Sequence, residues 1–169
     1  STTPADLAGI CPRCYLKCES CLCDTLVPLP TRIEIVVIRH ISERHVMSNT
    51  GRLAALLLPR CRIVDYGGGL PFDDEWLKQD GTYLLYPCGH DAPSGQNVKR
   101  LVVLDATFRR ARRMYKKIEA LRSLPEMSLK EPVAPPDRLR QPTCPSGMST
   151  IEAIATALAL LEDPALSRP

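Results

Sequence analysis

The stretch "RLVVLDATFRRARRMYKK" (residues 100–117) decides the fold, because it runs from a buried strand through a short acidic turn into a helix. Its first half is apolar without alternation, which is typical of a strand covered on both faces in a parallel sheet. Asp105 stands where this strand ends, the position at which open α/β sheets present ligand-binding residues. From Phe108 to Leu121 the apolar residues keep helical spacing. The stretch therefore predicts a strand–turn–helix unit with Asp105 as a candidate functional residue.

The helix after Asp105 carries an unusual concentration of positive charge, although the whole chain has a net charge of only +3. No acidic residue precedes Glu119 on this helix, so the cations have no partner one turn away and repel one another unless an anion is bound. Most are arginines, whose fork suits phosphate. A solvated helix face is the alternative reading. The candidate RNA-binding residues are Arg109, Arg110, Arg112, Arg113, Lys116 and Lys117.

Further strands and helices are predicted on both sides of this unit. Short β-rich apolar runs lie at 31–40, 62–66 and 82–86, and helical patterns lie at 49–59, 73–79 and 149–163. Six prolines between Leu124 and Pro145 predict a long irregular connection. Strands that alternate with helices predict an α/β domain with a mainly parallel sheet.

Five of the eight cysteines fall within "CPRCYLKCESCLC" (residues 11–23), whereas a disulfide scaffold would spread its pairs over the fold. Four thiolates at this spacing can close a tetrahedral zinc site, which would be structural because no coordination position is left for a substrate. Cys18 is the spare thiol, and redox-active or unpaired thiols are the alternative. This pattern predicts an N-terminal zinc-binding segment over 1–30 and a main domain over 31–169. The predicted metal ligands are Cys11, Cys14, Cys21 and Cys23.

The start of the last helix carries a capping box, since Ser149 is followed three residues later by Glu152. A capped helix start also presents backbone N–H groups and a positive dipole end to a carboxylate or phosphate. The three histidines are isolated in sequence and are predicted to be loop or surface residues. No apolar stretch reaches the length of a membrane span, and the first ten residues do not resemble a signal peptide. We therefore expect a cytoplasmic protein with no membrane contact.

Five motifs follow one another along the chain: "CPRCYLKCESCLC" (11–23), "SNTGRLAALLL" (48–58), "YLLYPC" (83–88), "LVVLDATF" (101–108) and "LRQPTCPSGMSTIEA" (139–153). In this order they resemble the motifs of the DTW-domain proteins, a family that includes the tRNA-uridine aminocarboxypropyltransferases. The resemblance covers residues 11 to about 160. Three positions depart from the expected family pattern: Phe108 replaces a tryptophan, Cys88 a serine and Ile41 a proline.

The resemblance implies a SPOUT-like knotted α/β fold and S-adenosylmethionine as the donor. The implied reaction moves the 3-amino-3-carboxypropyl group to ring nitrogen 3 of a tRNA uridine and releases methylthioadenosine. An RNA methyltransferase that uses the same donor is an alternative. A non-catalytic zinc-containing RNA-binding adaptor is another, and the oligomeric state is left open.

The family motifs also imply roles for individual residues. Asp105 is expected to accept the imide proton of the uridine or to orient the base; because an ordinary aspartate has a pKa of about 3.9, orientation is the main expectation. Phe108 is expected to face the sulfonium through a cation–π contact. Arg52 is expected to shape the pocket or to bind RNA, with the zinc segment as a second RNA contact. The expected donor-binding residues are Leu85, Tyr86, Pro87, Asp105, Thr107, Phe108, Ser149, Thr150 and Glu152.

Overall fold

Five parallel strands form one sheet in the computed structural model, which describes residues 9–46, 50–85, 97–127 and 149–162. The order across the sheet is β2-β1-β4-β3-β5. The strands are β1 (Glu34–His40), β2 (Cys61–Tyr66), β3 (Thr82–Leu85), β4 (Arg100–Asp105) and β5 (Glu126–Met127). The mixed α/β architecture with a parallel sheet is thus confirmed.

Helices cover both faces of this sheet, which explains why its strands are apolar throughout. Ile35 and Val103 lie in a buried cluster with residues of α1 and α4, whereas Ile38 and Val102 lie in a second cluster with residues of α2 and α3. Successive strand residues point to opposite faces, so each strand contributes to both clusters. The helices are α1 (Gly51–Leu57), α2 (Phe108–Lys117), α3 (Glu119–Arg122) and α4 (Thr150–Leu161).

The connections that leave the neighbouring strands β1 and β4 run to opposite sides of the sheet. From β1 it passes through α1 to β2 on one side, and from β4 it passes through α2 and α3 to β5 on the other. Such a divergence opens a crevice at the carboxyl ends of the two strands, where ligands bind in open α/β sheets. Arg39 and Asp105 are register partners at this edge. The fold therefore points to the ends of β1 and β4 as the site.

The structure corrects two expectations about the elements. The helix predicted to continue to Leu121 breaks at Ile118, whose backbone is extended (φ −88°, ψ 93°). Strand β5 forms within the proline-rich stretch predicted to be irregular, where Glu126 and Met127 pair with the end of β3. The carboxylate of Glu126 accepts a hydrogen bond of 2.7 Å from the Tyr115 hydroxyl.

Residues 86–96 and 128–148 lie outside the described ranges, and the knotted topology stays a prediction. The helix predicted at 73–79 is a 3₁₀ turn over Glu75–Lys78. Within the described part of the chain, no helix combines the length and the hydropathy that crossing a membrane requires.

Candidate functional site

Asp105 ends β4 as a buried carboxylate, with only 2% of the residue exposed. The hydroxyl of Thr150, the first residue of α4, donates a hydrogen bond of 2.8 Å to its Oδ1. A buried carboxylate is tolerated only where hydrogen bonds or cations compensate for its lost hydration. The structure thus joins the predicted catalytic residue to one of the predicted donor-binding residues.

The start of α4 forms the predicted capping box. The Glu152 N–H donates to the Ser149 hydroxyl oxygen (3.4 Å), and the Ser149 hydroxyl donates to Glu152 Oε1 (3.0 Å). The Ile151 N–H donates to the hydroxyl oxygen of Thr50, at the start of α1 (3.1 Å). Two of the N–H groups that a bound anion would use at this helix start are therefore occupied by side chains of the protein itself.

A partly buried ion pair lies beside Asp105 on the same face of the sheet. Arg39 is the register partner of both Asp105 and Asp65, and its Nε lies 2.8 Å from Asp65 Oδ1. Both side chains are mostly buried. The sequence analysis did not identify this pair as part of the site. The signal was present, because Arg39 and Asp65 are charged residues near the ends of apolar strands, as Asp105 is.

Arg52 is buried, contrary to what an RNA-contacting arginine requires. It is 5% exposed, and its two terminal nitrogens donate to the carbonyls of Val46 (3.0 Å) and Arg44 (2.7 Å). Its guanidinium carbon also lies 3.7 Å from the centre of the Tyr15 ring. Burial lowers the pKa of Arg52. A guanidinium committed in this way offers no surface to a phosphate, so its position favours a structural role.

The basic helix α2 covers the opposite face of the sheet, and all six of its cations are exposed. The hydroxyl oxygen of Thr107 caps the helix by accepting a hydrogen bond from the Arg110 N–H (3.4 Å). No ion pair to the six cations occurs among the described residues. An open groove of about 530 Å³ lies at the helix start and is lined by Thr107, Phe108, Arg109, Arg110 and Arg113. The groove combines an aromatic ring with unneutralised positive charge, which suits a nucleic acid.

His40, which the sequence analysis assigned to a loop or surface, ends β1 next to this helix. Its Nδ1 accepts a hydrogen bond from the Ser42 N–H (3.1 Å). Burial lowers the pKa of His40, and the positive charge of Arg110 lowers it further. Gly67 packs against the ring: a Cβ there would lie 2.9 Å from His40 Nε2, and its φ of +103° also favours glycine.

The four predicted metal ligands converge at the N-terminal segment, with all four sulfurs within 4.8 Å of one another. Cys11 Sγ lies 3.7 Å from Cys23 Sγ, and Cys14 Sγ lies 3.8 Å from Cys21 Sγ. Zinc–sulfur bonds of about 2.3 Å in a tetrahedron place the sulfurs about 3.8 Å apart, so this cluster can hold zinc. Cys18, the predicted spare thiol, is exposed.

The protonation of the cluster also suits a dication. Hydrogen bonds from the backbone of Cys14 and Arg13 lower the pKa of Cys11 to about 6. Burial and the three neighbouring sulfurs raise the pKa of Cys23 to about 12. Four thiolates this close together repel one another, so a bound cation favours the fully deprotonated cluster.

Of the three consecutive residues Leu85, Tyr86 and Pro87 that are predicted to bind the donor, the structure describes Leu85. It is buried in the cluster that contains Ile154 of α4, and it pairs with Val103 two residues before Asp105. Tyr86 and Pro87 lie outside the described residues. The end of β3 lies near the edge of the sheet that carries Asp105.

Comparison with known proteins agrees with the motifs. The chain matches the DTW domain family over residues 8–168. It is 25% identical over 177 residues to tRNA-uridine aminocarboxypropyltransferase 2 of Macaca fascicularis, covering 94% of this chain and 58% of the relative. It is 27% identical over 171 residues to the mouse (Mus musculus) protein of the same name, covering 90% and 56%.

The chain spans somewhat more than half the length of these curated relatives. No solved structure is significantly similar to it. Because the family match covers almost the whole sequence, the chain belongs to the DTW domain family.

Proposed function

We propose that this protein is a tRNA-uridine aminocarboxypropyltransferase. It transfers the 3-amino-3-carboxypropyl group of S-adenosylmethionine to ring nitrogen 3 of a tRNA uridine and releases methylthioadenosine. The observation that carries the proposal is the buried Asp105 carboxylate, held by Thr150 at the end of β4. The exposed cations of α2 begin four residues after this carboxylate. The names of the relatives support the same chemistry.

The reaction is a displacement at carbon. A bond forms between the uridine nitrogen and the γ-carbon of the donor, the carbon–sulfur bond breaks, and the sulfonium becomes a neutral thioether. The imide proton leaves the base. In this proposal Asp105 mainly orients the uridine and is also the candidate acceptor of this proton, and its fixed position beside Thr150 suits the alignment of the base with the donor.

In this proposal the donor lies on the sheet face that α4 covers. Leu85, Tyr86 and Pro87 form the wall for the adenine, and Phe108 with Thr107 lines the turn next to Asp105. The side chains at the start of α4 bind the amino-carboxyl end of the donor. These are Ser149, Thr150 and Glu152.

The tRNA lies along α2, whose start follows Asp105 at the carboxyl end of β4. Its phosphates bind Arg109, Arg110, Arg112, Arg113, Lys116 and Lys117, all of them exposed. The groove next to Phe108 lies at the helix start that follows Asp105, so RNA bound there is close to the reaction site. Arg52 is left out of this surface because it is buried.

Zinc held by the four cysteines keeps the N-terminal segment folded, and this segment is a second RNA contact. The proposal includes the SPOUT-like knot and the division into a zinc segment (1–30) and a catalytic domain (31–169). A tRNA substrate also agrees with the cytoplasmic location predicted from the sequence.

A reaction with S-adenosylmethionine and unmodified tRNA tests the proposal. Nucleoside mass spectrometry should find aminocarboxypropyl-uridine, and methylthioadenosine should be the small-molecule product. A methylated nucleoside with adenosylhomocysteine would identify a methyltransferase instead. With neither product on any RNA, an RNA-binding adaptor would be the better description.

Asp105→Ala tests whether turnover and tRNA binding depend on opposite faces of the sheet. We expect this variant to lose most turnover and to keep its affinity for tRNA, because Asp105 lies on the face opposite α2. Asp80→Ala, an exposed aspartate before β3, is the control and should keep both properties. Equal loss of turnover and of RNA affinity in Asp105→Ala would refute the assignment.

A further inference from the structure

We infer that Tyr15 and Arg52 are positioning residues, through which the cysteine-rich segment holds the start of α4 and with it Asp105. Together with His45, these two residues are called the clamp below. The inference rests on the proposed function only in treating Asp105 as the catalytic carboxylate. Arg52 thereby takes the first of its two expected roles, shaping the pocket rather than binding RNA.

The turn that carries the cysteine cluster fixes the position of Tyr15. Tyr15 follows Cys14 directly and has a left-handed backbone (φ 58°), a strained conformation for a side chain of this size. The turn is held by a hydrogen bond of 2.9 Å from the Tyr15 N–H to the Cys11 carbonyl. The direction of the Tyr15 ring therefore depends on the fold of the cysteine turn, which in turn depends on four sulfurs being held together.

Tyr15 contacts the main domain through His45 and Arg52. Its ring stacks on His45, with 6.1 Å between the ring centres, and its hydroxyl lies 3.0 Å from His45 Nδ1. The same ring covers the Arg52 guanidinium at 3.7 Å. A buried guanidinium needs such a cover in addition to its hydrogen bonds, because it has lost its water. Arg52 in turn binds the carbonyls of Arg44 and Val46, so the clamp ties α1 to the chain that follows β1.

Arg52 is connected to the carboxylate of Asp105 through the starts of α1 and α4. Thr50, two residues before Arg52, accepts the hydrogen bond of the Ile151 N–H (3.1 Å). The residue before Ile151 is Thr150, which donates to Asp105 (2.8 Å). Each link from the cysteine turn to Asp105 is thus either a direct contact or a short covalent step. A shift of the first turn of α1 would move the start of α4 and the hydroxyl that orients Asp105.

A chain of contacts is not by itself evidence of energetic coupling, so the test measures the coupling. Hydrogen exchange of the full chain, followed by mass spectrometry, reports on the N–H groups at the start of α4. Tyr15→Leu removes the ring, Tyr15→Phe keeps the ring over Arg52, and Cys18→Ser changes an exposed thiol of the same segment outside the four-sulfur cluster.

We expect Tyr15→Leu to speed exchange at Ile151 and Glu152 by roughly tenfold, the size of coupling that packed networks carry. Tyr15→Phe should have a much smaller effect and Cys18→Ser none, and exchange in α2 should not change in any variant. Chelation of the metal from the wild-type chain should speed exchange at the same two residues. Unchanged exchange there in Tyr15→Leu, or an equal increase across α2 and α4, would overturn the inference.

If Tyr15→Leu loses its metal or does not fold, Arg52→Lys is the variant that tests the clamp. It leaves the cysteine turn intact and keeps the charge, but a single ammonium cannot reproduce the forked contact with two carbonyls. Faster exchange at Ile151 with normal metal content supports the clamp, and wild-type exchange refutes it.

The exchange measurement needs neither donor nor RNA, so its outcome is independent of whether the proposed reaction occurs. If the enzyme is active, both clamp variants should raise the KM for S-adenosylmethionine more than they change the affinity for tRNA. An active enzyme with wild-type exchange and wild-type KM in both variants would overturn the clamp and leave the proposed function standing.

Discussion

Thr150 holds Asp105 through a direct hydrogen bond. Its hydroxyl is fixed at the first position of α4, and it donates to a carboxylate that is almost fully buried. Hydrogen bonds to charged groups contribute more than neutral ones, because the charge strengthens the electrostatic attraction. The geometry of the carboxylate therefore depends on a side chain that lies 45 residues away in the sequence.

Thr150→Val should reduce both stability and turnover. The substitution keeps the shape of the side chain and removes the donor, so we expect a loss of about 1–3 kcal/mol in the free energy of unfolding. Turnover should fall about tenfold or more because the carboxylate is no longer aligned. Urea unfolding and initial rates measure the two effects. Thr156→Val, in the same helix, removes a hydroxyl that donates to the Glu152 carbonyl, and its rates should stay near wild type. Equal rate losses in both variants would contradict the prediction.

Single residues of the site could be predicted only where local sequence carries the signal. Asp105 was recognisable because it follows an apolar run and precedes a helix, and Ser149 with Glu152 because a capping box is a local pattern. Arg39 and Asp65 were missed since their pairing depends on the order of strands in the sheet. Arg52 could not be recognised as buried, because arginine is most often exposed.

At the scale of elements, helix α2 keeps its charge unneutralised while its inner side is buried through Met114. Arg110→Gln and Arg113→Gln should each weaken tRNA binding and lower the log–log salt dependence by roughly 0.7–0.9 for each phosphate that the variant no longer neutralises. Thermal stability should not fall, because like charges on one helix repel. Filter binding at several salt concentrations measures the slope.

Arg122→Gln is the matched control for α2, since Arg122 is exposed on α3 and outside the groove. It should leave the affinity and the salt slope unchanged. If the α2 variants also bind tRNA with the wild-type slope, the helix is a solvated face.

At the amino end of β1, Glu34 forms ion pairs whose contribution to stability should decrease at low pH. Glu34 lies 3.2 Å from both Arg62 and Arg100, which contact the Trp76 ring from 4.9 and 5.8 Å. Burial tends to raise the pKa of Glu34, but hydrogen bonds from the two arginines outweigh it, and the pKa is lowered. Because the folded-state pKa is the lower one, this stabilisation is present above the ordinary glutamate pKa of about 4.3 and disappears as the pH falls further.

Glu34→Gln should therefore be less stable than wild type at pH 7, and the difference should vanish as the pH falls below about 4. Urea midpoints at pH 7 and pH 3 measure it. Glu75→Gln breaks an exposed pair with Lys78 and should change little at either pH. A Glu34→Gln difference that is constant with pH would show that the interaction removed by the substitution is not ionic.

The elements themselves were largely predictable because their patterns are strong. Strand β4 ends at Asp105 as predicted, and α4 lies inside the predicted 149–163. The break at Ile118 could not be predicted, since the apolar spacing continues through it and only tertiary packing turns the chain. Strand β5 is two residues long, too short for any periodicity to be visible.

For the whole molecule, the parallel α/β class was predictable from alternating patterns, but the strand order was not. The position of β4 between β1 and β3 depends on long-range pairing, and it brings Asp105 beside Arg39. A similar limit applies to the cysteine segment. Its ligands were predictable from spacing, whereas its contact with Arg52 through Tyr15 was not.

This contact gives a prediction for the unfolding of the whole chain. Tyr15 covers Arg52, and Leu29 packs against the core while its N–H donates to the Leu57 carbonyl (3.0 Å). Because the segment shares buried contacts with the main domain, the two should unfold in one calorimetric transition. Chelation should lower that single transition by about 5 °C or more, since each kcal/mol shifts Tm by roughly 2–4 °C in a chain of this size.

Cys11→Ser is the control for that measurement, because a site with three sulfurs should hold zinc weakly and its transition should not fall further on chelation. Chelation that leaves the main transition in place and abolishes a separate, smaller one would mean that residues 1–30 and 31–169 fold independently. Independent folding would also remove the physical basis of the clamp, since a segment that melts alone cannot hold the start of α4. A single transition whose Tm falls on chelation would mean that zinc binding at the four sulfurs stabilises the same cooperative unit that buries Asp105.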